Sequence, residues 1–115
     1  MFDDLASSAV RSALTGLSTR QRVSANNIAN LQTPGFTAVR VEFEDALRNA
    51  VESGDTSRVT PTYADSPLAA RQDGNNVNLD EETLSAMDTG LRYQLMLRAL
   101  DEKYELVSTV LKGGR

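Results

Sequence analysis

The stretch Ser24-Ala25-Asn26-Asn27-Ile28-Ala29-Asn30-Leu31-Gln32-Thr33-Pro34-Gly35-Phe36 sets where the first element of this chain ends and where the next can begin. Upstream, Leu5, Ala9, Val10, Ala13, Leu14 and Leu17 recur at helical spacing; Ile28 and Leu31 continue the stripe, with Gln21 and Ser24 as polar interruptions. The spacing predicts one long helix to Leu31, weakened near Gly16. Proline disfavours helix in the residue before it and glycine supplies the positive φ of a type II turn, so Thr33-Pro34-Gly35 stops that helix. Three asparagines sit near this end although each costs roughly 0.5 kcal/mol of helix propensity relative to alanine. Asn26 and Asn30 are four apart, so their amides share a face and can bond to another helix or back to the turn.

Beyond the turn, Thr37, Val39, Val41 and Phe43 alternate with Ala38, Arg40 and Glu42, the period of a half-buried strand. Glu44 to Glu52 carries Leu47, Ala50 and Val51 at helical spacing before Gly54, which predicts a short helix with a glycine stop. Residues 55–76 hold Pro61, Pro67, Gly74 and many small polar residues, with apolar side chains too scattered to define a buried face. They are expected to form a flexible loop. At Asn78 the pattern changes: with Glu81 three residues on it fits a capping box, and Asp80, Glu81 and Glu82 complement a positive helix start.

The second long helix carries two stripes. Leu84, Met87, Leu91 and Leu95 form one, and Tyr93, Leu97, Leu100, Tyr104, Val107 and Leu111 form an adjacent one whose alternating steps of four and three are heptad spacing, as in a seam between coiled helices. An intramolecular hairpin with the first helix would use the same spacing. Two helices of about 30 residues would each be roughly 45 Å long, against a radius of gyration of about 13 Å for a compact domain of this size. The expected fold is therefore mainly α: residues 1–32 and 79–115 as long terminal helices in an elongated coiled-coil-like pair, and 33–78 as a small irregular, β-containing middle. Apolar surface is left over on such a pair, and partners should cover it.

Composition narrows the function classes. The 115 residues include 40% hydrophobic but only 5% aromatic side chains and no Trp, which suits helix packing better than a β-sandwich. A net charge of −4, from 12 basic and 16 acidic residues, argues against nucleic acid as a partner. With no Cys and no His, thiol chemistry, imidazole acid/base work and the usual zinc sites are all removed. Glu42 and Glu44 are the best acid pair, on one face of the predicted strand, but without a pocket signal they read as solvated charges. Asp73-Gly74-Asn75 fails as a calcium loop, because Asn78 stands where glycine is needed and Leu84 where the bidentate glutamate belongs. No enzyme activity, cofactor or metal is expected. Nothing approaches a membrane span, and the acidic Met1-Phe2-Asp3-Asp4 start does not resemble a secretory signal.

The Ala25-Asn26-Asn27-Ile28-Ala29-Asn30 run followed by Thr33-Pro34-Gly35 and the aromatic Phe36 resembles the signature of flagellar axial proteins, the rod, hook and hook-associated subunits. The short chain resembles a proximal rod subunit, as do Asp73-Gly74-Asn75-Asn76-Val77-Asn78-Leu79-Asp80, Leu91-Arg92-Tyr93-Gln94 and Val110-Leu111-Lys112-Gly113-Gly114. Phe36 stands where the family often has Tyr, and the middle region is short. The resemblance implies a structural subunit of the basal-body rod that stacks helically through its terminal helices. It also implies export without a cleaved signal, a periplasmic location, and contact with like and related rod subunits and with membrane-ring and export-gate junction proteins. The signature residues and the Tyr93 to Leu111 seam are its candidate assembly residues. The competing expectation is a soluble helical adaptor or secretion-chaperone-like module that grips a partner helix with Tyr93, Leu97, Leu100, Tyr104 and Val107.

Overall fold

Helix α1 (Leu5–Ala29) begins where the Asp4 carboxylate accepts the Ser7 amide at 2.8 Å, an N-cap that satisfies one of the free donors of the first turn. The structure is a computed structural model that describes residues 4–56 and 59–113, with side chains as far as Glu102. After α1 come strand β1 (Val39–Glu42), helix α2 (Glu44–Ser53), strand β2 (Thr62–Asp65) and helix α3 (Leu79–Gly113). The mainly helical architecture agrees with the pattern of the sequence. Gly54, at φ 83°, ends α2 as expected, and Asn78 caps α3 by accepting the Glu81 amide at 3.0 Å. Glu81 does not return the bond of a full capping box; its carboxylate instead pairs with Arg40 at 2.6 Å.

Helices α1 and α3 run antiparallel: Leu17 faces Gly90 and Tyr93 across a shallow groove, the Gln21 amide donates to the Ala86 carbonyl at 3.3 Å, and Asn27 reaches Glu82 at 3.2 Å. The molecule measures 68 × 26 × 14 Å, and α3 alone, with 35 residues, spans about 52 Å of that length. Its radius of gyration of 18.0 Å exceeds the roughly 13 Å of a compact domain this size.

The core is small. Ala13, Leu17, Val41 and Phe43 are buried together, with Val23, Leu47, Tyr93 and Met96 packed against them. Gly16 is part of this arrangement: a Cβ there would lie 2.5 Å from the Phe43 ring. The glycine expected to weaken α1 instead lets an aromatic side chain from the β1–α2 junction lie against the helix backbone.

Two expectations for the middle of the chain are corrected. Residues 62–65 form a strand inside the predicted loop, pairing antiparallel with β1 in the register Val39 to Asp65, Arg40 to Ala64, Val41 to Tyr63 and Glu42 to Thr62. All four β2 residues are exposed, so no alternation of burial marked them in the sequence. Glu44 is not on the strand beside Glu42; it opens α2, where its charge complements the helix start.

Candidate assembly site

The amide-rich signature divides by burial. Asn27 is 1% exposed, whereas Ala25, Asn26 and Ala29 face solvent. The Asn27 side chain treats Val39 as a neighbouring strand would: its Oδ1 accepts the Val39 amide at 3.1 Å and its Nδ2 donates to the Val39 carbonyl at 2.9 Å. The same Nδ2 donates to Glu82 Oε1, so one side chain joins α1, β1 and α3. Two residues on, the Val41 carbonyl accepts from Arg20 Nη2 at 2.7 Å. The strand edge that β2 leaves open is therefore closed by side chains of α1.

Arg20 also forks onto Glu44, with its two terminal nitrogens 2.6 and 2.8 Å from the carboxylate oxygens, and stacks over the Phe43 ring. The hydrogen-bonded guanidinium holds the Glu44 carboxyl down at about 2, while partial desolvation opposes the shift. Arg20 thereby fastens α1 to both β1 and α2.

The turn after α1 has the expected geometry, with Gly35 at φ 75° and the Phe36 amide donating to the Thr33 carbonyl at 3.2 Å. The helix itself ends earlier than expected, at Ala29, and the carbonyls that follow it are bound by side chains from residues 71–75. The buried Asn75 amide donates to the carbonyls of Asn30 and Thr33 at 2.9 and 2.8 Å, and Arg71 donates to that of Leu31 at 2.6 Å. Asn30, at the C-cap, donates to the Asn26 carbonyl and accepts from Thr33 Oγ1. Asn76 completes the sheet: the Ser66 amide donates to the Ala38 carbonyl, and the return rung is the Asn76 side chain, which accepts from the Ala38 amide at 2.7 Å and donates to the Ser66 carbonyl at 3.1 Å. Gly74 packs on Gly35, where a Cβ would stand 3.2 Å from the Gly35 Cα.

Asn27, Asn75, Asn76 and Arg20 were not singled out individually by their spacing. An amide that replaces a backbone partner leaves no periodic trace; Asn27, Asn75 and Asn76 were visible only as parts of the two stretches that resemble the axial family, and nothing in the sequence marked Arg20. The signature residues Asn27, Asn30, Thr33, Gly35 and Phe36 thus lie in one intramolecular knot, with Pro34 exposed on its turn and Ile28 half-buried.

The outer face of the molecule lies on α3. Leu84, Met87, Leu91 and Leu95 are 69, 68, 61 and 55% exposed. At 3.6 residues per turn they fall on the side of the helix opposite Thr89, Tyr93, Met96 and Leu100, which turn towards α1 and are buried or half-buried. Of the heptad seam, Tyr93 packs on the core, Leu100 is half-buried and Leu97 is exposed on the flank; the side chains of Tyr104, Val107 and Leu111 lie outside the described residues. No helix is long and apolar enough to cross a membrane, and no cluster of three or more acidic, His or Cys side chains could hold a metal, among the described residues.

A family model described as "Flagella basal body rod protein" matches residues 9–37, the body of α1 and the turn that Asn75 clamps. Over most of its length the chain is similar to proteins named flagellar basal body rod protein FlgB. That of Bacillus subtilis (strain 168) is 29% identical, with 92% of each chain covered. Those of Escherichia coli (strain K12) and Salmonella typhimurium are each 30% identical over 83% of this chain and 84% of the relative. The chain belongs to the family of flagellar basal body rod proteins, as a member of the FlgB type.

Proposed function

We propose that this protein is a structural subunit of the proximal rod of the flagellar basal body, stacking helically with like and related rod subunits to form the shaft that transmits torque. Rod proteins are structural, and assembly with other rod components and a place in the basal body follow from the family. The observation that supports stacking through the helices is the outer face of α3. Four large apolar side chains stand in line on a helix whose opposite side is already used by α1. A face of this kind, on a subunit 68 Å long and 14 Å thin, suits side-by-side packing in a tube wall.

In this reading the intramolecular knot around Asn27, Asn75 and Asn76 sets how α1 meets the middle segment, and the Tyr93 to Leu111 stripe and the exposed signature residues Ala25, Asn26, Ala29 and Pro34 add contacts between subunits. Membrane-ring and export-gate junction proteins are the further partners, and the rod in the periplasm, reached without a cleaved signal, is the location. The adaptor alternative would use the same exposed stripe but gives no role to the family membership. Fractionation separates the two: a rod subunit co-purifies with detergent-extracted basal bodies, and a chain confined to the soluble cytoplasmic fraction would overturn the proposal.

A further inference from the structure

The outer stripe of α3 has charged ends. Continuing the steps of three and four from Leu84 and Leu95 reaches Asp80 at one end and Arg98 at the other, so Asp80, Leu84, Met87, Leu91, Leu95 and Arg98 share one line, which Glu102 extends by a turn beyond the apolar run. Asp80 and Arg98 are exposed and form no ion pair among the described residues. An apolar run with an acid at one end and a base at the other is complementary to its own reverse.

We propose that free chains pair through this face with a second copy of the same chain, the two α3 helices running antiparallel. The register that sets Leu84 against Leu95 of the second copy also brings Met87 against Leu91 and Asp80 against Arg98, within one residue of stagger. A twofold axis makes each pairing occur twice, which closes the assembly at two chains. Parallel pairing would instead set Asp80 on Asp80 and Arg98 on Arg98, with like charges at both ends. Four apolar side chains per copy cover less than the ~800 Å² per partner of a standard interface, so the dimer is weak and depends on concentration.

This pairing goes beyond the rod function and does not depend on it, since it rests on the residues of α3 alone. If the same stripe packs in the rod, the dimer hides it before assembly and must open for a subunit to join. Free subunits would then be held back from polymerising in the wrong place by an interface that cannot propagate.

Sedimentation velocity of the full chain over a concentration series tests the proposal. The unaltered chain is expected to pass from monomer to dimer. Asp80→Arg and Arg98→Asp each place two like-charge pairs in the dimer and should raise its Kd by about tenfold, whereas the combined exchange restores opposite charges and should return the Kd to within about twofold. Both positions are exposed, so circular dichroism should show unchanged helicity in all three variants. Because the chain has no Cys, Met87→Cys and Leu91→Cys variants can be mixed and oxidised to read orientation. The mixed disulfide should predominate over either same-site product. A chain that stays monomeric, a combined exchange that does not restore pairing, or a predominance of same-site disulfides would each overturn the antiparallel dimer.

Discussion

Asn26, Asn27 and Asn30 carry the same side chain within five positions, yet the fold uses each differently. Asn27 is enclosed and holds both the amide and the carbonyl of Val39, so Asn27→Ala leaves two strand groups without partners and should cost about 2–3 kcal/mol. Asn26→Ala, on the exposed face, should change stability by less than about 0.5 kcal/mol. Urea midpoints of the two variants check the contrast. The sequence made the asparagine excess visible but pointed to the Asn26 and Asn30 face, because spacing cannot tell which amide meets a backbone edge that arrives from another part of the chain. Arg20 and Glu44 make a second case for single side chains. The folded carboxyl lies at about 2, below its usual 4.5, so the stabilisation is complete above about pH 4.5 and is lost as pH falls towards 2. Glu44 remains partly exposed, and the net effect is about 1 kcal/mol after solvent screening. Glu44→Gln should therefore lower the urea midpoint at pH 7, and its difference from the unaltered chain should narrow steadily between pH 4.5 and pH 2.

Helices and strands in this protein are positioned by close approach at a few points. Gly16 of α1 admits the Phe43 ring, and Gly90 of α3 has only the tip of Gln21 nearby, 3.8 Å from where a Cβ would stand. The same substitution should then have opposite signs at the two sites. Gly16→Ala gains about 1 kcal/mol of helix propensity but forces a buried ring to move, and the net loss should be at least about 1 kcal/mol. Gly90→Ala meets a flexible side-chain end and should gain about 0.5–1 kcal/mol. Thermal or urea unfolding of both variants measures the signs directly. The helices were legible because their apolar periods are long, and α2 because Gly54 marks its end. Strand β2 was not legible: its residues are all exposed, Pro61 and Pro67 flank it, and it exists because β1 offers a partner and Asn76 supplies the missing rung. Gly16 likewise read as a weakness, since its role appears only once Phe43 is in place.

Among the described residues, the buried apolar set is Ala13, Leu17, Ala38, Val41, Phe43 and Val77, whereas many of the largest apolar side chains are exposed along α3. The chain leaves Leu84, Leu91 and Leu95 of α3 exposed and joins its elements with the amides of Asn27, Asn75 and Asn76 and with the arginines Arg20, Arg40 and Arg71. The two helical stripes were visible in the sequence, but their assignment to inside and outside was not, because both have helical spacing and only the α1 partner face distinguishes them. If the outer face of α3 is an assembly surface of a rod subunit, charging it should keep the folded chain out of the rod. Basal bodies are to be recovered from cells in which the chain is replaced by the Leu84→Glu/Leu91→Glu variant. Both positions are exposed, so the purified variant should keep its helicity and unfold within about 1 kcal/mol of the unaltered chain. This folded variant should be absent from the basal-body fraction while the unaltered chain is present; its recovery in basal bodies at the unaltered level would rule out the outer face of α3 as the assembly surface.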